Sequence, residues 1–385
     1  MSEKRQGLET RLIHAGARRP RIGGAAVTPI FQSSVFEQPQ GLGYDEMLYP
    51  RLSTLPNHTV LAARLASLEE GEAALVAASG MAAITAALLS ALAEGGHLLV
   101  QDQLYGGTHS FVTEDLPRFG GSYDFIDAQD PPSWRAKLRP NSRAIYVEAM
   151  TNPLVQIADH AAVAAFAREH GLVSLIDNTF ATPVNFRPLE HGFDVVLHSA
   201  TKYLNGHSDL AAGAIVASRD RVRTVHHLLN HLGGSLDPHA CFLLERGLKT
   251  LALRVRAHNA NAQRLAEFLA GCPQVTRVNY PGLEQHPQHA RARKLFQGCS
   301  GMLSFELESG PAAVEWISRT RLAIHAPSLG GMETLVTRPV ATSHAGLSPE
   351  ERQRAGIGDG LIRVSVGLES VEDVVDDFAQ AFEPR

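Results

Sequence analysis

The sequence predicts an α/β protein: a large domain around a mostly parallel sheet, followed by a smaller α+β domain. Three observations carry this. In the middle of the chain, short apolar runs alternate with helical stretches. Those runs are continuously apolar rather than alternating, as strands covered on both faces require. Beyond about Ser235 the texture changes to a long helical stretch with scattered strands. At 385 residues there is length for two domains of ordinary size.

Taken in order, residues 1–45, with Pro20, Pro29, Pro39 and several glycines, read as an extended arm. Residues 46–235 form the expected large domain and 236–385 the C-terminal one. A strand over about 73–78 turns through Ser79-Gly80 into a helix near Met81. Residues 73–93 carry no charge, but alanine dominates them and Ser79-Gly80 interrupts them, so strand, turn and helix fit better than a membrane span. "RAIYVEAM" (143–150) is strand-like, "DHAAVAAFAREHG" (159–171) is a helix closed by Gly171, and "LVSLIDNT" (172–179) and "DVVLHS" (194–199) are strands. Residues 239–271 predict one long or broken helix, and 301–308 and 361–369 two strands. Ser348, Pro349 and Glu351 spell a capped helix start with a capping box, and Ser370 is expected to cap the last helix.

Composition narrows the function. Hydrophobic content of 44% and charged content of 19% describe a soluble globular chain. A net charge of −5 gives no basic excess to attract nucleic acid or an anionic membrane. Cys241, Cys272 and Cys299 are an odd count without C-x-x-C spacing. That argues against a disulfide framework or a metal site and for a reducing, cytoplasmic setting. The N-terminus "MSEKRQGLETRLIHAG" lacks the apolar core of a signal peptide.

Ligands of open parallel sheets bind beyond the carboxyl ends of the strands, and three such ends carry polar residues. At Ser79-Gly80 the free N–H groups of a helix start suit a phosphate, and Gly80 lets backbone approach closely; an ordinary βα turn is the alternative. Asp177 directly follows the apolar run 172–176 and would need a cationic partner, or serves as a salt bridge or cap. Lys202 in "HSATKYLNGHSD" follows the strand 194–199; desolvated inside a site it would become a nucleophilic amine, and otherwise it is a surface lysine. Together the three offer a phosphate cradle, a carboxylate for a pyridinium nitrogen and an amine for a Schiff base. Those are the handles of pyridoxal 5′-phosphate, with the hydroxyls of Ser199 and Thr201 beside its phosphate.

Rival chemistries fit less well. Ser199-Ala-Thr-Lys202 also matches the S-x-x-K of serine acyl-hydrolases, but the nearest downstream K-T-G match, Lys249-Thr250-Leu251, lacks its glycine. A short-chain dehydrogenase would need a lysine four residues after Tyr203, where His207 stands. Neither G-x-G-x-x-G after a plausible first strand nor G-x-x-x-x-G-K-[ST] occurs.

The segments "ASGMAAI", "LYGGTHSF", "VEAMTNP", "LIDNTFATP", "HSATKYLNGHSD", "SLGGMETL" and "LIRVSVGLES" resemble the Cys/Met-metabolism family of pyridoxal-phosphate enzymes over nearly the whole chain. That family includes cystathionine γ-synthase, cystathionine γ- and β-lyases and methionine γ-lyase. The resemblance implies fold type I, the aspartate-aminotransferase fold, and a homotetramer built of dimers that share active sites, with the arm making oligomer contacts. It makes Lys202 the aldimine lysine and proton shuttle, and Asp177 the partner of the pyridinium nitrogen. Gly80, Met81, Ser199 and Thr201 would hold the phosphate, with Thr179 a further cofactor contact. Tyr105 would stack on the ring and act as an acid–base group near the leaving group. Asn152 would lie by cofactor oxygen and substrate carboxylate, Arg363 would clamp that carboxylate, and Ser328 would orient lysine and substrate.

Tyr49 and Arg51 match the Tyr-x-Arg that reaches a neighbouring subunit's phosphate, although the stretch 52–57 is one residue longer than usual and lacks Asn-Pro-Thr. Pro327 stands where several cystathionine-handling members carry glutamate, and plant-type γ-synthases share the Ala-Pro-Ser read here at 326–328. The implied reaction is γ-elimination or γ-replacement on a sulfur amino acid, of cystathionine γ-lyase or γ-synthase type, with methionine γ-lyase or cystathionine β-lyase as the alternative.

Overall fold

The structure, a computed structural model, describes residues 6–41, 43, 47–93, 95–346 and 348–383. Residues 1–5, 42, 44–46, 94, 347 and 384–385, parts of the expected arm and domains, lie outside the described residues.

Seven strands build the larger sheet: β1 (Ala73–Ala77), β2 (His97–Gln101), β3 (Ser122–Ile126), β4 (Ser142–Glu148), β5 (Val173–Asp177), β6 (Val195–Ser199) and β7 (Gly213–Ala217), in spatial order β1-β7-β6-β5-β4-β2-β3. From β6 through β5, β4 and β2 to β3 every pairing is parallel, while β7 runs antiparallel to both neighbours. Parallel strands need long crossovers, and the helices supply them on both faces.

The continuous apolar runs are explained by that double cover. Leu98, Val100, Tyr146, Leu175, Leu197 and Ile215 point to one face, packed with the helix Gly80–Ala91. The residues between them, Leu99, Ile145, Val147, Ile176, Val196 and Val216, point to the other, with the helix Pro56–Glu69. Ala144 to Val147 are all wholly buried. Such strands end where the chain first needs water or a ligand, and that is where β5 reaches Asp177 and β6 reaches Ser199.

Local signals hold each crossover in place. Asp159 accepts the Ala162 N–H at 3.0 Å to start the helix His160–His170, and Gly171, at φ 63°, ends it. The stretch over 239–271 resolves into two helices, Pro238–Leu248 and Leu251–Ala270, broken at Lys249-Thr250. Ser348 and Glu351 form the expected capping box. Ser370 does not cap with its side chain; the helix Val371–Phe382 instead carries Glu372 and Asp373 in its first turn, where the helix dipole favours negative charge.

A second sheet, β8 (Arg277–Asn279), β9 (Met302–Glu306), β10 (Ile324–His325), β11 (Leu335–Thr337) and β12 (Leu361–Ser365), has the order β10-β11-β12-β9-β8. All its pairings but β10–β11 are antiparallel. Phe305, Val336, Ile362 and Val364 pack there against Trp316 and Phe378 of the flanking helices. The central strand β12 carries Arg363 toward the larger sheet's strand ends.

Candidate active site

At the carboxyl ends of β4, β5 and β6 lies a cavity of about 630 Å³. Its walls bring together Gly80, Met81, Tyr105, Asn152, Asp177, Thr179, Ser199, Thr201, Lys202, Ser328 and Arg363. These residues come from strand ends, one helix start and the second sheet, separated by up to 283 positions in sequence.

The helix Gly80–Ala91 starts at the cavity wall. Ser79 caps it by accepting the Ala82 N–H at 3.0 Å, which leaves the Gly80 and Met81 end of the helix facing the site. Gly80 is obligatory there by space: a Cβ would stand 2.8 Å from Ser199 Cβ and 2.9 Å from its Oγ. The Ser199 hydroxyl has no protein partner among the described residues. Thr201 Oγ1 accepts the Ala212 N–H at 3.0 Å and donates to the Ala212 carbonyl at 3.2 Å.

Asp177 ends β5 and is pinned by Thr179, whose N–H donates to Asp177 Oδ1 at 2.9 Å. The Thr179 hydroxyl in turn accepts the Ser199 N–H at 2.8 Å, tying the ends of β5 and β6 together. No salt-bridge partner of Asp177 occurs among the described residues, so the salt-bridge alternative is not realised there, and burial raises its pKa. A buried carboxylate left without a counter-charge is a site for a cationic ligand atom.

Lys202 follows β6 and donates from Nζ to Ser328 Oγ at 2.7 Å. Burial first, and the nearby Arg363 charge second, lower its pKa to about 8. Ser328 is held at φ 86°, a strained backbone for a residue with a Cβ. Its carbonyl accepts from Arg363 Nη2 at 2.9 Å, while Arg363 Nη1 reaches Asn152 Oδ1 at 3.2 Å. Burial lowers the Arg363 pKa to about 10, and its Nε is buried without a partner. The guanidinium is thus fixed in place before any ligand arrives.

Tyr105 is 45% exposed, its ring at the cavity wall and its backbone N–H donating to Glu148 Oε1 at 2.7 Å. Glu148 was given no role in the sequence. Its segment "VEAMTNP" marks a strand end, but only the fold shows that this strand lies beside the one that Asp177 ends. Pro327, Leu329, Thr342, Ser343, Met150, Ile84 and Phe180 complete the wall. Of these only Pro327 lies in a segment that the sequence singles out, since isolated apolar residues and the hydroxyls of Thr342 and Ser343 carry no signal of their own.

Tyr49 and Arg51 do not line this cavity. Arg51 Nη1 lies 3.5 Å from the Asn230 carbonyl of the helix Arg219–Leu232, and its guanidinium sits over the Tyr49 ring at 5.4 Å.

Pyridoxal 5′-phosphate fits this donor set. The close-packed glycine at a helix start suits its phosphate, the unneutralised Asp177 its ring nitrogen, and the half-buried, easily deprotonated Lys202 its aldehyde.

Comparison with known proteins agrees. The model of the Cys/Met metabolism PLP-dependent enzymes matches residues 9–383. The chain is 42% identical to the L-methionine gamma-lyase of Pseudomonas putida, over 99% of this chain and 98% of that protein. It is 40% identical to the cystathionine gamma-lyase of Bacillus subtilis, over 97% and 99%. Among solved structures, cystathionine gamma-lyase from Lactobacillus plantarum in complex with L-serine superposes with a TM-score of 0.93 at 38% identity, covering 98% of both chains. A putative O-acetylhomoserine (thiol)-lyase from Campylobacter jejuni, which holds N'-pyridoxyl-lysine-5'-monophosphate, superposes with a TM-score of 0.94 at 32% identity, over 98% of this chain and 100% of that one. The expected fold type I and the cofactor therefore stand, and the chain belongs to the pyridoxal-phosphate-dependent enzymes of cysteine and methionine metabolism.

Proposed function

We propose that the protein eliminates the γ-substituent of a sulfur amino acid whose far end is uncharged, with L-methionine or L-homocysteine as the model substrate. The observation that carries this is the charge inventory of the cavity. Among the described residues its ionisable acid and base wall side chains are Glu148, Asp177, Lys202 and Arg363, besides the Tyr105 phenol. Asp177 is reserved for the ring nitrogen, Lys202 for the cofactor and proton transfer, Arg363 for the α-carboxylate, and Glu148 is occupied by the Tyr105 backbone. A substrate ending in a second ammonium and carboxylate, such as cystathionine, finds no further counter-charge among the described residues of this wall. Methionine is the thioether amino acid that fits, and its sulfur sits on Cγ.

Bound pyridoxal phosphate supplies an electron sink for charge developing at Cα. The chain's own residues do the rest. Gly80, Met81, Ser199 and Thr201 would hold the phosphate, Thr179 would keep Asp177 available to the ring nitrogen, and Tyr105 would cover the ring. Arg363 and Asn152 grip the α-carboxylate, a bidentate task for a guanidinium. Lys202 Nζ, steered by Ser328 Oγ and with its pKa lowered by burial to about 8, gives up its proton far more readily than an exposed lysine and moves protons at Cα and then Cβ on its flexible stem. Tyr105 gives its phenolic proton to the departing sulfur. Water completes the reaction to an oxoacid, ammonia and a thiol.

The placement of Tyr49 and Arg51 away from their own cavity supports the shared-site dimer, and with it the homotetramer, that the family resemblance implies. No helix among the described residues is long and apolar enough to cross a membrane. The three free cysteines support a reducing, cytoplasmic setting.

The test is substrate competition, with products identified by mass spectrometry. The proposal expects 2-oxobutyrate from methionine or homocysteine, with kcat/KM about tenfold or more above that for L-cystathionine. Preference for cystathionine, or pyruvate as its oxoacid, would overturn it.

A further inference from the structure

The cavity holds one acid that the chemistry above does not use. Strands β4 and β5 pair in parallel with Glu148 directly opposite Asp177, so two strand-end carboxylates face the same site from adjacent strands. Neighbouring strands lie about 5 Å apart. Glu148 is 5% exposed. Its Oε1 accepts the Tyr105 N–H at 2.7 Å, and its own N–H donates to Gln101 Oε1 at 3.2 Å on the next strand. It therefore joins the strand that carries the site to the loop that carries Tyr105.

We propose that Glu148 is a positioning residue that works as a neutral carboxylic acid: it anchors the Tyr105 loop over the cofactor and leaves Asp177 as the single carboxylate charge beneath the ring. Two buried carboxylates at this spacing do not both ionise cheaply, so one keeps its proton. With pyridoxal phosphate bound, Asp177 would meet the ring nitrogen and be stabilised as an anion, which leaves Glu148 as the protonated partner. The surroundings agree: burial and the Asp177 charge push the Glu148 carboxyl well above the ordinary range.

The other titratable groups around it do not reverse this. Tyr146, on the same strand, is buried and its phenol is pushed up. His160, packed against the Glu148 backbone, and His344, against Asn152 and Arg363, are both lowered by burial to about 4 and are neutral at working pH. Lys202 and Arg363 face the same cavity, but each is committed, to Ser328 and to Asn152 with Ser328. His198 acts on Asp177 and favours its charge.

The inference rests on the cofactor assignment and not on the proposed substrate, so it is read first without substrate. In the holoenzyme, Glu148→Gln keeps the acceptor for Tyr105 and the neutral charge. The pH midpoint of the cofactor's visible absorption band should stay within about 0.3 unit of the parent. Glu148→Ala removes the anchor; kcat should fall on the order of 10- to 100-fold with KM less affected, and the glutamine variant should recover most of that loss. A midpoint moved down by about a unit in Glu148→Gln would mean that a charge had been removed, and would overturn the proposal. So would parental kcat in Glu148→Ala, or loss of the fold in Glu148→Gln. If Glu148→Ala fails to fold, the glutamine titration decides alone.

Discussion

Lys202 shows how a single side chain can be shaped against the stability of its own fold. Its amine is desolvated and lies near Arg363, so the protonated form is disfavoured in the folded chain relative to the unfolded one. With the folded pKa at about 8 and the ordinary lysine value at 10.5, the cost is full below pH 8 and fades as pH rises toward 10.5. The unfolded chain binds more protons across that window, so stability rises with pH there. Cofactor-free Lys202→Met should therefore melt a few degrees higher than the cofactor-free parent at pH 7, and the gap should narrow by pH 10. An equal or lower melting temperature at pH 7 would show that the amine is not penalised. The same residue was legible in the sequence because strand, hydroxyls and lysine are contiguous in "DVVLHSATK". Glu148 was not, because its meaning depends on which strand lies beside it, and register is a tertiary fact.

At the scale of elements, the site is a meeting of ends. The helix Gly80–Ala91 can approach the end of β6 only because Gly80 has no side chain. Gly80→Ala would push its Cβ into Ser199, displacing the helix start from the strand end. The apparent Kd for pyridoxal phosphate should rise about tenfold or more, read by fluorescence on the cofactor-free protein, while far-UV circular dichroism stays parental. Unchanged affinity would remove this turn from the cofactor's site. β1, β4, β5 and β6 could be read from sequence because both faces are covered and their centres are continuous apolar runs, whereas β2, β3 and β7 drew no such expectation, β3 interleaving Ser122 and Asp124 with its aromatic residues. The break at Lys249-Thr250 was less legible: apolar residues recur at helical spacing on both sides, and no proline or glycine marks the turn at Thr250. Ser370 has the residue type of a cap but not the hydrogen bond, since the acidic first turn already satisfies that helix end electrostatically.

For the whole molecule, the arrangement of Tyr49 and Arg51 separates what one chain holds from what its neighbour supplies. Their motif could be recognised in sequence, but the position of Arg51 beside Asn230 of the helix Arg219–Leu232, away from the cavity wall, required the fold. If the assembly shares its sites, Lys202→Ala and Arg51→Ala chains are each inactive alone, but a mixed assembly contains some sites with both residues intact. Refolding the two together should recover activity up to about a quarter of the parent, as random pairing of two chains allows. No recovery in a mixed oligomer would place Arg51 outside the partner's site.

The central claim, removal of sulfur from Cγ by proton transfers through this cavity, is tested most directly by turnover of L-methionine in deuterium oxide, with the oxoacid examined by mass spectrometry. The account predicts 2-oxobutyrate carrying a solvent deuteron in its methyl group, because the carbon that loses sulfur must be reprotonated. Failure to release any oxoacid from methionine and homocysteine alike, or 2-oxobutyrate with an unlabelled methyl group, would contradict it.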